Sequence, residues 1–172
     1  MSCARKPELD YVTRARQNEA MADQIDTARI PPAALGLGLA GLIPFMGGAV
    51  VLWMPEIAPT IGHRLIVGYG AIILTFLGGI RWGTAIGPYD GQRQSFEFTA
   101  SVLGSLAGLA SLFLPAIPGM TLLIAGFLTQ ALWDLTSVEA GRLPMWFGKF
   151  RMLLTAGAVI SLVMGVIAVV VT

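Results

Sequence analysis

The sequence has little charge for its length. Charged side chains make up 12% of the 172 residues, whereas soluble domains contain about 25%. Hydrophobic residues make up 55%, and the mean hydropathy is +0.74. This composition predicts a chain that folds in lipid, and its length fits one compact helical bundle.

Cysteine and histidine are almost absent, since Cys3 and His63 are the single examples of each. One cysteine excludes an intramolecular disulfide, and the pair offers no cluster of metal ligands. The sequence also contains no nucleophile beside a base and no phosphate-binding glycine loop. With a net charge of +1 and no clustered basic face, it predicts no enzyme, no cofactor, no metal site and no nucleic-acid partner.

The first 32 residues are polar and contain both acidic and basic side chains. A secretory signal would need an early apolar core, and an organelle transit peptide would avoid acids. Residues 1–32 are therefore predicted to form a soluble cytoplasmic arm. Met21 offers a plausible shorter start.

Five long apolar segments follow the arm, and a spanning helix needs about 20 apolar residues. They predict an all-α integral membrane bundle in residues 33–172. The predicted transmembrane helices cover about 33–53, 65–86, 98–114, 120–137 and 152–171. The "PAIPG" link is so short that the third and fourth helices must form an antiparallel hairpin.

The distribution of lysine and arginine predicts the orientation. If the N-terminus is cytoplasmic, every Lys and Arg except Arg64 lies on the cytoplasmic side. The positive-inside rule therefore predicts a cytoplasmic N-terminus and an outside C-terminus. A bacterial inner membrane is the favoured location, with the mitochondrial inner membrane as the alternative.

Arg81 in "GGIRWG" is a charge inside a predicted spanning helix, roughly 9 Å from its end. Such a residue usually has a partner or a function, and Asp134 of the fourth helix is expected at a similar depth. We predict an Arg81–Asp134 ion pair, extended by Glu97 and Gln130. Snorkelling of Arg81 to the headgroups and a proton or ion relay remain alternatives.

Small residues recur at helix-packing spacing in three of the predicted helices. This pattern lets apolar helices approach closely, so it predicts packing within the bundle. A homodimer seam or a docking face for a larger complex is the alternative. The glycines concerned are Gly79, Gly83, Gly87, Gly104, Gly108, Gly157 and Gly165.

Four stretches together resemble a known family: "IPPAALGLGLAGLIPF", "YGAIILTFLGGIRWG", "LWDL" and "GRLPMWFGKFRMLLT". The resemblance is to a family of small bacterial and mitochondrial membrane proteins of unknown function that includes transmembrane protein 69. It implies an integral membrane domain with no assigned reaction. The family-motif positions that it marks are Gly78, Gly79, Arg81, Trp82, Asp134, Pro144, Trp146 and Arg151.

These features favour a non-enzymatic accessory or scaffold subunit of a larger membrane assembly. A small transporter or channel that uses Arg81, Asp134 and Gln130 is the first alternative. Binding of an anionic lipid at Arg81, with Arg151 and Lys149 nearby, is the second. The expected partners are membrane lipid and either a membrane protein or a second copy of the chain.

Overall fold

The computed structural model describes residues 29–54, 56, 59–87 and 91–171. Within these ranges the chain forms helices and no strand, which confirms the predicted all-helical fold. The helices are α1 (Pro32–Ala40), α2 (Ile43–Leu52), α3 (Pro59–Ala85), α4 (Gly91–Ser111), α5 (Ala116–Glu139) and α6 (Met145–Val171). The predicted arm lies outside the described residues as far as residue 28.

The first predicted helix is interrupted at Pro44. Proline has no backbone N–H and its ring displaces the carbonyl four residues earlier, so the α-helix cannot run through it unbroken. α1 ends at Ala40, and α2 begins at Ile43 with Pro44 in its first turn. The two short helices, Pro32–Leu52, are together long and apolar enough to cross a membrane.

Four segments meet the length and apolarity that a membrane crossing requires: Pro32–Leu52, Thr60–Ala85, Ala116–Glu139 and Met145–Val171. Helix α4 is absent from this set, since its first half contains Ser95, Glu97, Thr99 and Ser101. Length and composition therefore support four of the five predicted spans. They do not support the span predicted at α4.

The contacts between helices show how α3 and α5 are directed. Gly70 packs on Leu123 near the middle of both helices, and Arg81 meets Asp134 near the C-terminal end of both. Because the residue numbers rise together along the contact, α3 and α5 run parallel.

Helix α4 runs in the opposite direction. Gly78 near the end of α3 packs on the Ser101 carbonyl, whereas Gly108 near the end of α4 packs on Ala71. The chain therefore returns along α4 from one end of the bundle to the other before α5 begins.

The predicted packing glycines fall into two groups. A β-carbon built at Gly104, Gly108, Gly157 or Gly165 would meet a neighbouring helix within 3.1 Å. At Gly79 and Gly83 it would meet nothing within 4 Å. Gly87 follows the end of α3 and donates its N–H to the Thr84 carbonyl at 3.1 Å.

Several helices begin before the apolar runs that predicted them. α6 starts at Met145 rather than near 152, and α5 starts at Ala116 rather than near 120. Proline is tolerated in a first helical turn, where its missing N–H would be unpaired anyway, so Pro118 lies inside α5 rather than in a loop. The apolar pattern therefore locates the apolar part of each helix and not its first residue.

Two adjacent glycines provide a matched test of the α3–α4 contact. Gly78→Ala places a methyl group against the Ser101 carbonyl, so we expect overpacking to destabilise the protein by about 1–3 kcal/mol. Gly79→Ala faces open space and replaces glycine by a better helix former, worth about 0.5–1 kcal/mol. Thermal unfolding in mild detergent should give the highest melting temperature for Gly79→Ala, an intermediate one for the wild type and the lowest for Gly78→Ala. Equal melting temperatures would contradict the contact between Gly78 and Ser101.

Candidate functional site

Four charged side chains meet at one end of the bundle, each from a different helix. Asp134 of α5 accepts a hydrogen bond from Arg151 Nε of α6, with 2.7 Å between Nε and Oδ2. Arg81 Nη2 of α3 lies 3.7 Å from Asp134 Oδ1. Arg81 Nη1 lies 4.0 Å from Glu97 Oε2 of α4. We call Arg81, Glu97, Asp134 and Arg151 the ion cluster.

The ion cluster is formally neutral and largely buried, with the Asp134 side chain 15% exposed. Arg81, Glu97 and Arg151 are each 5% exposed. Two arginines face two carboxylates, so each charge has an opposite charge within 4.0 Å. Removing one partner of a buried pair leaves an uncompensated charge, which is why such clusters resist substitution of a single member.

Arg81 is also stacked on an aromatic ring. Its Cζ lies 3.9 Å from the centre of the Trp133 ring, a cation–π geometry. Trp133 in turn stacks on Phe96 of α4, with ring centroids 5.1 Å apart. The guanidinium therefore lies between helices, not at the end of an extended chain as snorkelling would require.

The structure places Gln130 beside the ion cluster rather than in it. Gln130 is buried one helical turn before Asp134, and its Nε2 lies next to Gly104 of α4. Gly104 thus makes room for this amide. The predicted extension of the cluster is seen at Glu97, and Gln130 serves the α4–α5 contact.

The sequence analysis places Arg151 near Arg81 only in the anionic-lipid alternative, and not as a partner of Asp134. The last helix was predicted to begin near 152, which left Arg151 in a connecting loop. Because α6 begins at Met145, Arg151 lies more than one turn inside the helix and faces Asp134. The signal that could have found it was Pro144, a typical helix-starting residue.

A small cavity adjoins the ion cluster. Its volume is about 10 Å³, and its wall also includes Thr84, Ser137 and Arg142. This is close to the minimum volume for one water molecule. Arg81 Nε and Nη2 are buried there without a hydrogen-bond partner, so one water could satisfy them.

The remaining family-motif residues lie around this end of the bundle. Gly78 contacts α4, Trp82 packs on Phe98 with ring centroids 4.6 Å apart, and Pro144 precedes α6. Trp146 packs on Phe150. Among the described residues, no three His, Cys, Asp or Glu side chains come together as metal ligands would.

Comparison with known proteins agrees with this architecture. Residues 30–167 match the family described as "Protein of unknown function (DUF3429)". Transmembrane protein 69 of Xenopus tropicalis is 36% identical over 169 residues, an alignment that covers 89% of this chain and 64% of the relative. No solved structure matches.

The family match covers most of the described chain and confirms the resemblance seen in the sequence motifs. Together with its four apolar helices, it makes this chain a multi-pass membrane protein in contact with lipid. The chain belongs to the DUF3429 family, whose function is unknown and to which it is matched from residue 30 to residue 167.

Proposed function

We propose that this chain is a non-enzymatic accessory or scaffold protein that binds a larger membrane assembly through α3. The observation that carries the proposal is the outward position of Gly79 and Gly83. A β-carbon at either residue would meet nothing within 4 Å. Glycines four residues apart on a lipid-facing surface allow a second helix to approach the backbone closely.

The surface around these two glycines supports the proposal. Phe76 on the same side of α3 and Ile86, the residue after α3, are 62% and 66% exposed, so they would flank a helix packed over Gly79 and Gly83. The glycines Gly104 and Gly157 are already filled by neighbouring side chains. Gly79 and Gly83 on α3 are predicted packing glycines that the bundle leaves uncovered.

The ion cluster favours a scaffold over a transporter or an anion site. The cavity beside Arg81 holds about 10 Å³, room for about one water rather than a solute. Two carboxylates, Glu97 and Asp134, already neutralise the arginines, which weakens attraction for an anionic headgroup. The role that this geometry suits best is to hold the four helices together.

We also propose five membrane passes, with the N-terminus cytoplasmic, in a bacterial inner membrane. Because α3 and α5 run parallel, the chain must return between them, and α4 is the helix that does so. At 21 residues, α4 is about 31 Å long, enough for the hydrocarbon core of about 30 Å. Its polar residues Glu97 and Ser101 are buried against other helices, which explains its lower apolarity.

Reporter fusions at the C-terminus test the number of passes. Five passes put the C-terminus opposite the N-terminus, so a periplasmic phosphatase fused after residue 172 should be active and a fused cytoplasmic fluorescent protein should be dark. A fusion between α5 and α6, near Gly141, is the control and should give the reverse pattern. Fluorescence from the C-terminal fusion would contradict five passes that begin in the cytoplasm.

Larger side chains at Gly79 and Gly83 test whether this surface of α3 binds a partner. Gly79→Leu combined with Gly83→Leu adds bulk where no neighbour exists, so the bundle should keep its melting temperature. The same change should abolish crosslinking in cells to a partner membrane protein or a second copy. Gly36→Leu on α1, another glycine with no atom within 4 Å, is the matched control and should retain the crosslink.

Two results would contradict the scaffold role. One is a lone monomer in mild detergent together with no crosslinked partner in cells. The other is a crosslinked partner whose yield is unchanged by the Gly79→Leu and Gly83→Leu pair, since that partner would bind elsewhere.

A further inference from the structure

A second and much larger pocket lies between the interrupted first span and helices α3 and α6. Its volume is about 390 Å³, within the range of roughly 300–1,000 Å³ found for small-molecule sites. Its wall is mainly apolar and includes Leu37, Leu42, Phe45, Phe76, Phe127 and Phe150.

Two polar side chains of α6 interrupt this apolar wall. Arg151 and Thr155 both line the pocket and are 5% and 4% exposed. Arg151 Nη2 and Thr155 Oγ1 are each buried without a hydrogen-bond partner. Buried polar atoms are nearly always paired, so an acceptor bound in the pocket would satisfy both.

Thr155 differs here from other hydroxyl residues in the helices. Thr75, Thr121, Thr129 and Ser161 each donate to the carbonyl four residues earlier, at 2.8–2.9 Å. The Thr155 hydroxyl makes no such bond. Residues four apart share a helix face, so one acceptor oxygen can lie within reach of both Arg151 and Thr155.

We propose that this pocket binds the acyl chain of a lipid, whose carbonyl oxygen accepts hydrogen bonds from Arg151 Nη2 and the Thr155 hydroxyl. The charge of Arg151 is already balanced by Asp134 at 2.7 Å, so a neutral carbonyl suits the site better than an anion. The apolar wall then encloses the chain.

The depth of the two polar groups fits a lipid carbonyl. Arg151 lies six residues into α6, about 9 Å from its start. The headgroup layer on each side of the hydrocarbon is about 5–8 Å thick. Arg151 also directly precedes the apolar run of α6 that begins at Met152, which suits a position near the boundary where the ester carbonyls of a bilayer lie.

The pocket is also accessible from the bilayer. α1 packs on α6, and exposed Leu37 and Phe76 flank a gap between α1 and α3. A lipid chain can enter sideways through this gap. Residues 1–28 are a poorer occupant, because charged side chains such as Arg14, Glu19 and Asp23 would be costly in an apolar site.

Photolabelling of the full chain in phosphatidylcholine vesicles tests the proposal. One vesicle preparation contains phosphatidylcholine with a photoreactive acyl chain, and the other contains photoreactive palmitic acid. Mass spectrometry of the labelled peptides should place label on α1 and α6 residues of the pocket. The probe that labels identifies the source of the carbonyl, an ester or the neutral, protonated form of a fatty acid, and labelling by either one supports the site.

Two variants distinguish lipid bound in the pocket from general contact between the protein surface and the bilayer. Thr155→Val preserves side-chain shape and removes the hydroxyl, so labelling should fall about two- to tenfold, the effect of one hydrogen bond. Ala34→Trp fills the pocket near α1 and should reduce labelling at least as much. Thr75→Val and Ala33→Trp, which lie outside the pocket lining, are the matched controls and should label as wild type.

Three results would overturn the proposal. The first is absence of pocket labelling by both probes. The second is equal labelling in the Thr155→Val and Ala34→Trp variants and their controls, in protein shown by its melting curve to be folded. The third is a crosslink from a photoreactive residue at position 37 to residues 1–28, which would make the arm the occupant.

Discussion

The structure depends on one carboxylate shared by two arginines. Asp134 of α5 holds Arg151 of α6 at 2.7 Å and Arg81 of α3 at 3.7 Å, and Glu97 of α4 brings in the fourth helix at 4.0 Å. No member could be buried alone without a large desolvation penalty. The four helices must therefore meet in one register at this end of the bundle.

The ion cluster also accounts for the composition of α4. Glu97 and Ser101 are buried on the inner face of this helix, whereas Val102, Leu103 and Leu106 are exposed. A helix that supplies polar groups to a buried cluster has a lower average apolarity than its neighbours, even when its outer face is apolar. The mean hydropathy of α4 is therefore lower than that of its neighbours, although α4 runs antiparallel to α3 along the bundle.

Much of the fold could be predicted from sequence, since long apolar runs and the sites of proline and glycine locate helices well. The similar depths predicted for Arg81 and Asp134 in the membrane also indicated that the two residues would form a pair. Arg151 and Trp133 could not be assigned in this way, because helix starts extend past the apolar run and a stacked ring depends on rotation of α5 against α3. The same limit applies to Gly79, which shares its spacing with the buried glycines and differs only in which way it faces.

The most direct test of the ion cluster is a double-mutant cycle of Asp134→Asn and Arg151→Gln, measured as thermal and denaturant stability in mild detergent. Asp134→Asn alone should cost about 3–5 kcal/mol, because it leaves buried arginines uncompensated. Glu139→Gln, an exposed carboxyl of the same helix, is the control and should have little effect. The double variant should be more stable than the sum of the single changes predicts, by at least about 1 kcal/mol. Additivity to within about 0.5 kcal/mol would contradict the account, since it would mean that Asp134 and Arg151 do not hold α5 and α6 together.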